Sequence, residues 1–340
     1  MKPITHILHL GACLVSMLLC ACSGLVYEDE GDCTVSYRMR FRYDMNMKFA
    51  DAFPHEVKSV HLYAFDQEGR LVWHTTESGP ALAEDGYYID LPLEAGKYHF
   101  VAWCGLDNGE SFTVPECAEL PDIHCKLNRN RHTNGSAIST DDLHSLFHGM
   151  LDANLPENLD GAVYTYTMPL VKDTNVVRVV LQHLNGQDID HRDFTFRIED
   201  QNGWMDHHNN LLDDEPITYH AWSTYSGQAG VDLSGRAITN VQVAVAELTV
   251  SRLVQRDWSR YSKPRLVIRN VDGELVANIP VIDYALLVKG NYNREMSDQE
   301  YLDRQDEYNM TFFLDDGNRW ISTSIIINSW RVVLNPTDLQ

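Results

Sequence analysis

Residues 35–43 alternate strictly. Val35, Tyr37, Met39, Phe41 and Tyr43 are apolar or aromatic, while Ser36, Arg38, Arg40 and Arg42 are polar. A period of two predicts a strand with one face on a core and a basic face in water. Residues 57–65 and 71–74 predict two more strands around Asp66-Gln67-Glu68-Gly69, a turn that carries glycine. Residues 87–93 predict a strand that Glu94-Ala95-Gly96 turns directly into residues 97–103. In that last strand Tyr98, Phe100 and Ala102 share one side. From Gly105 to Thr140 the pattern weakens. Cys117, Pro121, Asn128, Asn130, Asn134 and Gly135 predict a long loop, a rare feature inside a compact unit. Two cysteines within it could staple it. Residues 141–147 predict one short helix capped by Ser139 or Thr140.

After a break at residues 169–174 the apolar runs resume. Residues 176–181, 194–198 and 240–253 predict strands, the second ended by Gln201-Asn202-Gly203. Residues 266–268 and 274–281 flank Asp272-Gly273, a strong hairpin signal. Ser297-Asp298-Gln299-Glu300 reads as a capping box opening a short helix, on which Glu300 and Arg304 are four apart and can pair. Residues 310–314 and 320–327 flank Asp315-Asp316-Gly317-Asn318, and residues 330–334 close the pattern. Many short strands, frequent turns and few helices predict a mainly all-β chain built as two tandem β-sandwiches. The expected units are residues 33–170 and 171–340.

The N-terminus follows another logic. Lys2 precedes an apolar run over residues 7–19, and Ser23, Gly24, Glu28, Asp29 and Glu30 follow it. The run is too short to span a bilayer comfortably and reads as a secretory signal. Its end, Leu19-Cys20-Ala21-Cys22, resembles the bacterial lipobox, with Leu19 three before a cysteine and small Ala21 just before it. That resemblance implies cleavage before Cys22 and diacylglycerol on its sulfur. Cys20 is the poorer acceptor, because bulky Leu19 would sit at the cleavage position. The plainer alternative is an ordinary secretory signal with chance cysteines. Stable anchoring needs more than one acyl chain, a condition that a multiply acylated Cys22 meets. The expected layout is a signal over residues 1–21, a tether over 22–32, and an extracytoplasmic body.

Charge and cysteine usage fit that compartment. The chain has 340 residues and a formal net charge of −22. Loss of the signal removes one charged residue, Lys2. Such an acidic body is unsuited to nucleic acid, whose phosphates need a basic patch, and to an anionic membrane face. Of the seven cysteines, four lie in the mature body: Cys33, Cys104, Cys117 and Cys125. An even number in an oxidising compartment makes them disulfide candidates, with three pairings open and reduced thiols as the alternative. Their spacing does not resemble zinc ligation, even with His124 adjacent.

Motifs that carry catalysis are missing. The chain has no G-x-S-x-G, H-E-x-x-H, P-loop or G-x-G-x-x-G, so no enzyme activity and no cofactor is implied. Asp141, Asp142, His144 and Ser145 are too crowded for a nucleophile–base–orienter arrangement. His207-His208 after Asp206 reads as an exposed polar turn before it reads as a metal site. Asp315-Asp316-Gly317-Asn318 lacks the spaced carboxylates and closing Glu of a calcium loop. Asn134-Gly135-Ser136 matches a glycosylation sequon, but a lipobox belongs to bacteria. The tryptophans are scattered and read as packing.

Several strings stand out along the mature chain. They begin with Cys33-Thr34-Val35-Ser36-Tyr37 and Tyr43-Asp44-Met45-Asn46. Val60-His61-Leu62-Tyr63-Ala64-Phe65-Asp66 and Leu93-Glu94-Ala95-Gly96-Lys97-Tyr98 follow. Later come Leu146-Phe147-His148-Gly149-Met150, Gln299-Glu300-Tyr301-Leu302-Asp303 and Ile327-Asn328-Ser329-Trp330. Their order spans nearly the whole mature chain, and together they resemble the FimB/Mfa2 family of fimbrial anchor proteins from Bacteroidetes. The resemblance implies two transthyretin-like β-sandwich domains and a lipoprotein in the outer membrane at the base of a fimbria. It implies a shaft subunit of related fold as partner, bound by strand exchange, and a limit on fimbrial length. Cys22 is the one family site it carries over by residue. A surface adhesin or glycan-binding lipoprotein, as an accessory or tip subunit, is the alternative expectation.

Overall fold

The computed structural model describes residues 35–106, 109–157, 161–232, 236–290 and 294–333. Cys22, Cys33, the signal and the tether lie outside the described residues. The first strands are β1 (Ser36–Arg42), β2 (Ser59–Phe65), β3 (Leu71–Ser78), β4 (Ile89–Leu91) and β5 (Gly96–Cys104). A short helix, α1 (Phe53–Glu56), follows β1. Next come β6 (Phe112–Thr113), β7 (His124–Leu127), β8 (Asn130–Arg131), β9 (Ala137–Ser139), β10 (Phe147–Leu155) and β11 (Val163–Lys172). They are followed by β12 (Thr174–His183), β13 (Phe194–Asp200), β14 (Trp204–Asp206), β15 (Ile217–His220), β16 (Ser223–Val231) and β17 (Ala237–Ser251). The last strands are β18 (Arg265–Asn270), β19 (Leu275–Pro280), β20 (Glu307–Leu314), β21 (Trp320–Ile327) and β22 (Trp330–Val333). Helices α2 (Val281–Leu287) and α3 (Asp298–Arg304) fall between β19 and β20.

A seven-stranded sheet runs β3-β2-β5-β10-β11-β1-β4. It curls over itself, because Tyr37, Met39 and Phe41 of β1 share one core with Leu62 and Ala64 of β2 and Phe100 and Ala102 of β5. The alternation seen in β1 has its outcome here: the odd residues are buried and Arg40 and Arg42 face solvent. The curl turns on β11, whose first seven residues pair with β1 while its last three pair with β10. Gly149 of β10 permits this close layer. A Cβ there would come within 2.7 Å of Leu170 and Met168 side-chain atoms. The expected turn from β4 straight into β5 is not a hairpin. Strand β4 pairs with β1, and β5 pairs with β2 and β10, so Glu94-Ala95-Gly96 crosses between layers.

Two six-stranded sheets, β16-β17-β12-β20-β21-β22 and β19-β18-β13-β15-β9-β8, face each other. Val177, Val179 and Leu181 of β12 and Met310, Phe312 and Leu314 of β20 meet Phe196, Ile198, Leu266 and Ile268 from the opposite sheet. The same core takes in Phe65, Val101 and Trp103 from the outer face of the first sheet. From Phe100 to Cys104 strand β5 is therefore buried on both faces, and the two cores meet across it.

The expected loop between Gly105 and Thr140 is instead a stitch between these bodies. Strands β6 and β7 pair with each other and take β14 as a third strand. Strand β9 adds in parallel to β15, and β8 extends that sheet by one more strand. These pieces are two to four residues long and their partners lie far downstream, so no local periodicity announces them. The expected helix at residues 141–147 is extended chain. Its polar groups serve distant partners: Thr249 donates to Asp142 at 2.7 Å, and the His144 amide donates to the Ser111 hydroxyl at 3.0 Å. Gly105 accommodates the returning chain, with φ of +85° and the Ser145 carbonyl where a Cβ would stand. The helix at Ser297 forms as expected. The Ser297 hydroxyl accepts from the Glu300 amide at 3.0 Å, and Arg304 donates to Glu300 at 2.9 Å.

Buried charge pins the stitch. Arg129 donates to both oxygens of Asp214 at 2.7 and 3.0 Å, with each side chain about 5–6% exposed. A second cluster marks the passage from β11 to β12. Asp173 is the single residue between them and is fully buried. Arg252 spends its fork on Asp303, with two bonds of 2.8 Å, and donates to the Asn209 carbonyl at 2.7 Å. Asp173 is left 3.6 Å from Arg252 and accepts from the Asn209 amide at 2.8 Å. Burial then outweighs the guanidinium and pushes the Asp173 carboxyl up to about 7.

Two outcomes follow from this packing. Replacing one partner of a buried ion pair strands the other, so Arg129→Ala should cost about 3–5 kcal/mol of unfolding free energy in a urea titration. A cost below ~1 kcal/mol would place the stitch outside the cooperative unit. Asp173 has a folded pKa above its ordinary 3.8, so its contribution is full below that value and is lost as pH rises toward 7. Asp173→Asn should therefore gain Tm relative to the unmodified chain between pH 4 and pH 7. A Tm difference that is constant over that window would contradict the assignment.

Candidate functional site

The two-residue turn between β21 and β22 shapes the end of the chain. Asn328 and Ser329 have φ of 47° and 70°, the left-handed pair that a tight type I′ hairpin requires. Asn328 is held by β20: its carboxamide oxygen accepts from the Asn309 amide at 2.7 Å, and its own amide N–H reaches the Asn309 carbonyl at 2.9 Å. The turn lays β22 against β21 from Ile327↔Trp330 to Ser324↔Val333. Among the described residues β22 ends its sheet, so its outer backbone edge faces away from the ladder.

Beside that edge is a groove of about 530 Å³. Trp330 and Val332, alternate residues of β22, line it with Leu287 and Val288 at the end of α2, Tyr301 of α3, and Met47 from the turn after β1. Trp330 is 60% exposed, an unusual position for the largest apolar side chain. Phe49 and Leu287 are also exposed near this end, and the Arg304 guanidinium lies 4.5 Å from the Phe49 ring centre. Arg304 also donates to the Asp44 carbonyl at 3.0 Å, tying the turn after β1 to α3. An apolar groove beside a strand edge suits an extended peptide: backbone groups pair along the edge and alternate side chains enter the groove.

Among the described residues most other sheet ends are blunted, the eight-residue β3 excepted. Strands β4 and β8 have three and two residues, and Arg131 of β8 is engaged by Glu215. Strands β16 and β19 carry irregularities at Gly227–Ala229 and Ile268–Arg269 in their pairings. Bulges and short, charged edges discourage pairing.

The residues singled out from sequence fall elsewhere. Cys104 and Cys125 are buried in the two different cores and Cys117 is half-buried; all three are free thiols. Burial raises the thiol pKa of each. Asp142 and His144 are taken up by tertiary hydrogen bonds to Thr249 and Ser111. The carbonyl of His207 accepts from Nε2–H of buried His148 at 3.0 Å, and the His207 and His208 ring centres lie 4.2 Å apart with their planes tilted by 41°. Burial holds His148 down at about 3, so it is neutral. Asp315 accepts from the amides of Gly317 and Arg319, closing a hairpin turn. Among the described residues no group of three or more His, Cys, Asp or Glu could hold a metal ion, and no helix is long and apolar enough to cross a membrane. The β22 groove was not legible beforehand. The string Ile327-Asn328-Ser329-Trp330 carried its turn, but Met47 and α2 reach it only through the fold.

Solved structures share this architecture. A candidate adhesin from Bacteroides thetaiotaomicron is 35% identical, with a TM-score of 0.77 over 90% of this chain and 100% of that one. A candidate polysaccharide-binding protein from the same organism is 29% identical, with a TM-score of 0.74 over 90% of this chain and 100% of that one. The fimbrial anchor protein Mfa2 from Porphyromonas gingivalis has the same fold at 15% identity, with a TM-score of 0.65 over 88% of this chain and 99% of that one. Among curated proteins no relative matches at the sequence level. The family model for fimbrillin-A associated anchor proteins Mfa1 and Mfa2 matches residues 29–336. With nearly the whole length of the body accounted for, the chain belongs to the Mfa2 family of fimbrial anchor proteins, a non-enzymatic family of the fimbrial cell surface.

Proposed function

We propose that this protein is the base anchor of a fimbria. Acylated Cys22 holds it in the outer membrane, and the β22 edge takes a strand from the shaft subunit, a protein of related fold. The observation that carries this reading is the apolar groove beside an unblunted sheet edge, on a chain of the anchor family. Strand exchange uses what the edge supplies: backbone donors and acceptors for affinity, and the Trp330–Val332 face for side-chain selection. A chain that receives a strand but sits on lipid fixes one end of the polymer, and its supply relative to shaft subunits sets length.

A second reading, a surface adhesin or glycan-binding lipoprotein, draws on the descriptions of the two Bacteroides relatives. It has a local feature of its own. Gln67, Lys97, Tyr98, His99, Asp152 and Asn154 line an open polar cleft on the first sheet, with His99 and Asp152 2.6 Å apart. Amides, a carboxylate and a ring can meet sugar hydroxyls.

The two readings separate on three variants. Trp330→Ala should weaken binding of the shaft subunit by about 2 kcal/mol, roughly thirty-fold in Kd, as loss of a central aromatic anchor does. His99→Ala should leave that binding unchanged; the opposite pattern would move the partner to the polar cleft. In cells, Cys22→Ala at matched expression should abolish fatty-acid labelling and release intact or overlong fimbriae into the medium. Fimbriae that stay attached at normal length after loss of label would overturn the base role.

A further inference from the structure

An anchor is pulled, and the strand order around β1 bears on how it withstands the pull. Tension from a tether at Cys22 reaches the described fold at Val35 and enters β1 at its N-terminal end. Strand β1 lies parallel to β11 over seven residue pairs, from Ser36↔Val163 to Arg42↔Pro169. The Ser36 amide also donates to the Ala162 carbonyl at 3.1 Å.

From β11 the chain leaves at the other end. Leu170 to Lys172 pair with β10, Asp173 follows alone, and β12 then lies between β17 and β20 in the next sheet. Each residue from 163 to 181 except Asp173 therefore has a strand partner. Parallel strands drawn from opposite ends slide past each other, so all their hydrogen bonds share the load. Drawn apart from a common end, they open one bond at a time.

Packing reinforces the sliding direction. Tyr37, Met39 and Phe41 are at most 5% exposed and would have to be dragged through the core. The Tyr37 hydroxyl donates to the Pro156 carbonyl at 2.7 Å. Behind β1, the Tyr43 amide donates to Asp51 at 3.0 Å and its ring meets Phe147 edge-on at 5.0 Å. Lys172, at the exit of β11, donates to Glu56 of α1 at 3.0 Å and to Asp306 before β20 at 2.6 Å.

We propose that the β1–β11 ladder is a shear clamp that passes load from the lipid-anchored end through Asp173 into the C-terminal sheets. The direction of loading rests on the anchor reading; the clamp itself rests on strand order.

Force spectroscopy on the purified mature chain, with Cys22 replaced by serine and a handle at its N-terminus, tests the clamp. The second handle is attached through an azide-bearing residue at exposed Arg331 in one preparation and at exposed Val163 in the other. The first geometry shears the β1–β11 ladder, and the second peels the same bonds from their shared end. Release of β1, identified by its gain in contour length, should need several-fold more force in the first geometry. Release at equal force would overturn the clamp. The measurement uses neither membrane nor partner, so loss of shaft binding would end the anchor reading and leave this result standing.

Discussion

The passage from β11 to β12 through one buried residue is the constraint on which the rest of the structure depends. A carboxyl at that point cannot meet water, and Arg252 is already committed to Asp303, so Asp173 relies on the Asn209 amide and a more distant guanidinium. With a single linking residue, the sheet built on β11 and the sheet built on β12 cannot move far apart. Strands β7 and β9, which precede the junction in the chain, then pair with β14 and β15, which follow it, and the Arg129–Asp214 pair locks them there. The fixed placement brings Met47 and the end of α2 together beside β22, where no single segment of sequence puts them.

Elements whose partners lie nearby in sequence were legible. The hairpins around Asp66–Gly69, Asp272-Gly273 and Asp315–Asn318 were, because turn chemistry and flanking alternation are both local. So was the helix at Ser297, whose capping and Glu300–Arg304 pair occupy eight consecutive residues. What failed was whatever depended on distant pairing. The segment after Gly105 looks like a loop because its strands are two to four residues long and their partners are β14 and β15. The Asp141 to Phe147 segment has helix-capping letters, but Thr249 and Ser111 claim its polar groups. Strand β4 looked like one arm of a hairpin because the Gly96 turn does not say to which layer the chain returns.

The candidate site divides along the same line. Its turn, Asn328-Ser329, was visible as part of a family string, and the left-handed backbone explains why Asn stands there. Its groove was not visible, because apolar residues at 47, 287, 301 and 332 look like ordinary core positions until the fold leaves them beside an edge. The exposed indole of Trp330 is the residue whose placement separates a docking surface from a core.

Hydrogen exchange of the purified chain with and without the shaft subunit bears most directly on the claim that β22 is the acceptor edge. A strand added there must bond the outward amides of Trp330 to Val333, so these should gain protection in the complex while those of β3 and β19 stay as they were. Protection that appears around His99 and Asp152 with β22 unchanged would contradict the account and place the partner on the polar cleft.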